Sequence, residues 1–234
     1  ILFFIYTFIE GHAYLLPFID QNPVADMQIQ WKSCGTLVAS FNQMVSGCLF
    51  YLAETKGQDK KIAHSKLAFA FFGIGLLNSF TNYAHHTYHL PQAHIIKWTA
   101  FVVSMLEVII LTKILFDVSA VFKAHRQKKW DAAIHLVNLS KLWNALLLLP
   151  IALLISIPPL NAIIHGTTVV MAHAMGSEIA IDTYVLLAAM VVLISDYFAQ
   201  DESELKQVNS TFVKRNIIWA NVALVVLVLW FLVT

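Results

Sequence analysis

Charged residues are scarce in this chain. Asp, Glu, Lys and Arg make up only 12% of its 234 residues, against about 25% in typical soluble domains. Hydrophobic residues make up 59%, and the mean hydropathy is +0.69. Because a soluble fold of this size cannot bury so large an apolar fraction, the composition excludes a soluble domain and predicts a membrane protein whose main partner is the lipid bilayer.

An excess of charge of one sign is also lacking. The formal net charge is +1 at pH 7 with histidine neutral, whereas nucleic-acid binding requires a broad basic surface. We therefore expect no nucleic-acid partner. Cysteine is equally sparse: Cys34 and Cys48 are not spaced as CxxC, so neither a disulfide framework nor a zinc knuckle is predicted.

Long apolar runs dominate the chain instead. A bilayer core of about 30 Å requires about 20 mostly apolar residues per helix, and in lipid the backbone must satisfy its own hydrogen bonds. Windows of this kind occupy 1–19, 33–53, 66–84, 95–119, 138–158, 166–196 and 216–234. The first and last windows are the least complete. The sequence therefore predicts an all-α, polytopic transmembrane helix bundle with six or seven membrane spans, forming one domain over residues 1–234.

Both ends of the sequence lie in apolar runs. It opens at Ile1 without a methionine, and it stops within the run WANVALVVLVLWFLVT. Each end therefore has the pattern of a cut through a helix, and we expect the chain to be part of a longer or split protein.

Basic residues alternate along the chain. They concentrate in the connectors 54–66, 122–141 and 196–215, whereas the connectors between these hold only Lys32 and Lys97. Because basic loops remain on the cytoplasmic side of a membrane, the three basic connectors are predicted to be cytoplasmic. The alternation agrees with the count of spans.

Several ionisable residues lie within the apolar windows, where each costs a few kcal/mol and usually faces a partner, a cavity or a cofactor. A single membrane histidine more often forms a hydrogen bond between helices than binds a metal, and that interpretation stays open for each one. Glu178 and Asp182, four residues apart, share a helix face and could line a water path, or repel until one takes a proton. The ionisable residues within the windows include His12, Glu107, Lys113, His173, Glu178 and Asp182.

Four motifs follow one another in a recognisable order. They are NYAHHTY at 82–88, SMLE at 104–107, PLNAIIHGT at 159–167 and AHAM at 172–175. In this order, and with these loop lengths, the chain from about residue 33 onward resembles the second half, helices six to eleven, of subunit I of the haem-copper oxidase superfamily. The resemblance is greatest to its nitric oxide reductase branch.

The resemblance implies a metal centre. His85 and His86 would bind a non-haem metal, iron in the reductases or copper in the oxidases. His173 would be the axial ligand of a high-spin haem b, and Glu107 would tune the second metal or relay protons. Imidazole is a common ligand of both metals.

Other positions agree less well with the family. His165 and Thr167 would lie near haem propionates at the outer face. Met175 replaces the histidine that ligates the low-spin haem, and methionine is itself a known haem ligand. Ser33 and Cys34 stand where a third metal histidine is expected; Cys34 could act as a thiolate ligand or be a packed thiol.

The activity implied is the coupling of two NO molecules to N2O and water with two electrons and two protons. The other haem ligand would lie on helices absent from this sequence, so we expect the missing subunit I helices or a cytochrome c-type subunit as partners, in a bacterial inner membrane. Two alternatives stay open: a degenerate, non-catalytic structural or assembly subunit, and an oxygen-reducing relative. For the latter, Tyr83, Tyr88 and Tyr184 are present, but none lies in a diagnostic motif.

Overall fold

The described part of the protein is built from helices alone. The computed structural model describes residues 1–81, 88, 93–198, 203 and 210–234, with only the backbone described for residues 30–37 and a few other helical positions. Within these ranges no strand is present. The predicted all-α class is confirmed.

The helices follow one another with short connections. Proline at the first helical position begins α2, α3 and α9, because its fixed φ suits that position and the missing N–H is not needed there. In chain order the helices are α1 (Leu2–Gly11), α2 (Pro17–Asp20), α3 (Pro23–Thr55), α4 (Lys60–Ala63), α5 (Lys66–Thr81), α6 (His94–Ala124), α7 (Asp131–Trp143), α8 (Leu149–Ser156), α9 (Pro158–Ile164), α10 (Thr168–Ser177), α11 (Tyr184–Leu193) and α12 (Thr211–Val233).

Three π-helical segments interrupt or extend these helices. Asn144–Leu148 joins α7 to α8, Glu178–Thr183 joins α10 to α11, and Ile194–Phe198 follows α11. The helices on either side stay continuous, so α7 with α8 and α10 with α11 each form one long rod.

Four helical rods of the described chain are long and apolar enough to cross a membrane, so the protein is an integral membrane protein. They are His94–Ala124, Lys128–Ser156, Thr168–Tyr197 and Thr211–Val233. Helix α5 is also apolar but shorter over its described residues. The first predicted window, 1–19, does not form one helix, because α1 ends at Gly11 and Pro17 begins α2. The count of six or seven spans stays a prediction.

The core lies where α3, α6, α7 and α11 meet. Leu49, Leu115, Val137 and Val185, one from each of these helices, are fully buried. Helix α12 packs mainly against α10 and buries only Leu224 and Val228. Most of its remaining apolar side chains face outward, as expected for a helix in contact with lipid.

Ion pairs join the basic connectors at one end of the bundle. Asp196, at the end of the α11 rod, pairs with Lys56 after α3 and with Lys129 after α6, the latter at 2.8 Å. Asp131, at the start of α7, pairs with Lys214 at the start of α12 at 3.3 Å. The three basic connectors therefore meet at a common end, which we call the basic end.

Candidate functional site

A cavity of about 250 Å³ lies inside the bundle between α3, α5, α6, α8 and α10. We call it the central cavity. Its wall combines apolar side chains, such as Val45, Phe71 and Leu111, with an unusual number of polar ones for a membrane interior. The polar side chains that line it are Asn42, Ser46, Asn78, Ser104, Glu107, Ser156, His173, Ser177, Glu178 and Asp182.

Glu107 projects from the middle of α6 into this cavity and is 8% exposed. The side-chain amide of Asn78, on α5, donates a hydrogen bond to its carboxylate. The carboxylate lies close to α5 at Gly75 as well: a Cβ built there would be in ordinary van der Waals contact with Glu107 Oε1, at 3.5 Å. Helix α5 therefore holds Glu107 in place from the opposite wall.

His173, on α10, lines the same cavity as Glu107. Helices α6 and α10 bring these two residues together although they are far apart in the sequence. The motif order assigned both of them to a single metal centre, and that assignment stays a prediction.

Glu178 and Asp182 also reach the cavity, by way of the π-helical segment between α10 and α11. Thr183 Oγ1 donates to the Glu178 carbonyl oxygen at 2.8 Å, five residues back. A π-helical turn accommodates one extra residue, which rotates the following side chains by about 100° relative to a regular α-helix. Such insertions are frequent at functional sites.

The described part of the cavity wall carries an excess of acidic groups. Its carboxyl groups are those of Glu107, Glu178 and Asp182, and its imidazole is that of His173. Among the described residues that line it, none is Lys or Arg. The wall therefore attracts protons or cations rather than anions.

The other residues assigned to a haem lie away from this cavity. His165 is half-buried between α9 and α10, and Thr167 is exposed, its hydroxyl donating to the Ile164 carbonyl at 2.6 Å. Between them Gly166 has a φ of +85°, a conformation that favours glycine. Met175 is half-buried on α10, and the cavity lining does not include it. Two residues on from His173, it points about 200° away around the helix.

Three predicted metal ligands cannot be placed. His85 and His86 lie outside the described residues, as does Tyr83. Cys34 is within α3, where only the backbone is described. In the described ranges no three His, Cys, Asp or Glu side chains are grouped closely enough to hold a metal ion.

The donor chemistry of the cavity fits a haem in part. His173 offers an imidazole, and the apolar wall suits a porphyrin. A volume of about 250 Å³ is below the roughly 300–1,000 Å³ of most cofactor pockets. The cavity bounded by the described residues is therefore small for a haem.

Sequence reasoning missed two features of the cavity. Asn78 is uncharged, so the pattern of ionisable residues in the apolar windows does not reveal it, although an amide in such a window is itself a signal. The π-helical segment has no sequence signal that distinguishes it from a regular helix.

No protein-family model, no curated protein and no solved structure matches this chain. The resemblance to subunit I of the haem-copper oxidases consequently rests on the four motifs and stays a prediction.

Proposed function

We propose that this chain is a haem-containing membrane redox subunit similar to subunit I of the nitric oxide reductases. The observation that supports the proposal best is the shared position of Glu107 and His173. The motif order assigns one to proton delivery and the other to haem ligation, and both line the central cavity.

In this proposal the residues of the chain ligate, position and deliver protons. A bound haem b with a non-haem iron or copper would supply the coupling of two NO molecules to N2O and water. His173 would ligate the haem, and His85 and His86 would ligate the second metal. Glu107, held by Asn78, would deliver protons, since a carboxylate within hydrogen-bond reach of a reacting group can act as a general acid.

The proposal also assigns roles to residues around the haem and the second metal. His165 and Thr167 would contact haem propionates, while Met175 and Cys34 would take the places of family histidines. Six or seven spans would place the basic end on the cytoplasmic side of a bacterial inner membrane. A cytochrome c-type subunit or the missing subunit I helices would deliver electrons.

A non-catalytic structural or assembly subunit is the second candidate. The observation that favours it is the cavity itself, which is small for a cofactor and carries two carboxylates, Glu178 and Asp182, to which the resemblance assigns no role. The oxygen-reducing alternative gains no support from Tyr184, which is buried but is not among the residues that line the cavity.

Haem content separates the two candidates. The protein is purified from membranes and measured by pyridine haemochrome assay, optical spectroscopy and metal analysis. We expect b-type haem in stoichiometric amount in the wild type, and loss of the high-spin signal in His173→Ala because the axial ligand is removed. His125→Ala is the matched control: this exposed histidine bonds only the Val121 carbonyl at the end of α6 and should leave the spectrum unchanged.

Well-folded wild-type protein that contains no haem would contradict the redox proposal and favour the structural role. Equal loss of haem in His173→Ala and His125→Ala would remove His173 from its proposed role.

A further inference from the structure

Asp182 is the most deeply buried carboxylate of the central cavity. It is 6% exposed and faces the cavity from the π-helical segment. Within the described residues its carboxylate has neither a hydrogen-bond donor nor an ion-pair partner, and the same is true of the Glu178 side chain. A buried carboxylate without compensation is costly in its charged form.

The neighbouring groups increase this cost. Glu178 and Glu107 line the same cavity, so full ionisation would place three negative charges between apolar walls. Like charges at close range cannot all stay ionised, and one of them binds a proton instead.

Asn78 provides an independent sign that a ligand enters the cavity. It is 6% exposed and lines the cavity from α5. Its amide nitrogen donates to Glu107, but its side-chain oxygen Oδ1 has no donor among the described residues. A buried acceptor of this kind is usually satisfied by water, and a cavity of about 250 Å³ has room for several molecules.

We propose that Asp182 and Glu178 form a proton-binding site in contact with water inside the central cavity. The ligand is a hydrated proton: hydronium transfers it to a carboxylate oxygen of Asp182, one O–H bond breaks in hydronium, one forms on Asp182, and water is left. Asn78 accepts a hydrogen bond from that water. The site goes beyond the proposed redox function and does not depend on a bound haem.

The groups facing the pair come from every helix around the cavity. Among the described residues of the wall, only Glu107 and His173 are ionisable besides the pair; the described side chains of α3, α5 and α8 contribute neutral amides and hydroxyls. From α3 come Asn42 and Ser46, from α5 Asn78, from α6 Ser104 and Glu107, from α8 Ser156, and from α10 His173 and Ser177.

Infrared spectroscopy of the full chain in lipid nanodiscs tests the proposal. At neutral pH we expect a carboxylic C=O stretching band that shifts in D2O, because water reaches the site, and that is lost in Asp182→Asn. In Glu178→Gln the band should remain but change in frequency, because the carboxyl group beside Asp182 is replaced by an amide. Asp117→Asn is the control: its exposed carboxylate is paired with Lys113 on the surface of α6, so the band should not change.

Three results would overturn the proposal. They are a band that persists in Asp182→Asn, a band insensitive to D2O, and a band abolished by sodium, calcium or manganese chloride, which would identify a metal-cation site. If Asp182→Asn does not fold, Asp182→Glu keeps the acid and should move the band. The haem assay is a separate measurement, so failure of either proposal leaves the other intact.

Discussion

A carboxylate can persist inside an apolar bundle only if neighbouring residues leave it space and a hydrogen-bond donor, and Glu107 has both. Asn78 donates to it, and the central cavity beside it provides the space. A Cβ on Gly75 would lie 2.0 Å from the Gln43 side-chain nitrogen, so α3 and α5 also approach each other closely at this glycine. The environment of one carboxylate thus depends on single residues of two other helices.

The backbone conformation of Gly166 predicts how a single substitution there changes the stability of the protein. Its φ of +85° lies in the region that favours glycine, so Gly166→Ala should destabilise the protein by about 1 kcal/mol or more. For a chain of this size that lowers the melting temperature by about 2–4 °C. The measurement is thermal denaturation in detergent.

The control is Gly73→Ala in α5, where an added Cβ meets nothing within 4 Å. Alanine should favour a helix at this position, so the melting temperature should stay or rise. Equal destabilisation by both variants would argue against backbone strain at residue 166.

At the scale of elements, the π-helical segments place polar side chains where a regular helix would not. The segment between α7 and α8 contains Asn144, whose side-chain oxygen accepts from Thr112 Oγ1 on α6 at 2.7 Å. The segment between α10 and α11 turns Glu178 and Asp182 to the central cavity. One π-helical segment thus forms a hydrogen bond to a neighbouring rod, and the other determines which carboxylates line the central cavity.

Close packing of α10 against its neighbours gives a prediction for Gly176. A Cβ there would lie 1.9 Å from Leu147 Cδ2 and 3.9 Å from Val228 Cγ2. Gly176→Val should therefore overpack the contact and destabilise the protein by about 1–3 kcal/mol, measured by thermal denaturation.

The double variant Gly176→Val with Leu147→Ala distinguishes overpacking from other causes. Removing the Leu147 side chain frees the space that valine needs, so part of the stability should return. Strictly additive losses would contradict direct contact between the two positions.

For the molecule as a whole, the basic end joins segments that are distant in the sequence. Asp196 accepts hydrogen bonds from Lys129 Nζ at 2.8 Å and from Trp130 Nε1 at 3.2 Å, and it also pairs with Lys56. Its side chain is only 11% exposed. A single carboxylate thus connects the ends of α3, α6 and the α11 rod.

Asp196→Asn should loosen this end of the bundle. Two lysines lose their counter-charge, and the expected loss is about 1.5–3 kcal/mol of stability. Limited proteolysis should show faster cleavage in the connectors 54–66 and 122–141. Asp117→Asn, which removes only an exposed pair within one helix, should change little. Unchanged cleavage in Asp196→Asn would contradict the joining role.

The sequence by itself determined the helical class, the membrane environment and the alternation of basic connectors. These follow from local rules: a bilayer demands long apolar helices with internally satisfied backbones, and Lys and Arg stay outside it. Motif order also assigned Glu107 and His173 to one metal site, which stays a prediction.

Only the tertiary structure decided which other polar side chains line the central cavity with Glu107 and His173. Asn78, Glu178 and Asp182 come from different turns and helices, and a π-helical insertion orients two of them. The reason is physical: which polar side chains meet depends on the rotation and close approach of whole rods, and these are determined by packing across the bundle rather than by any one segment of the chain.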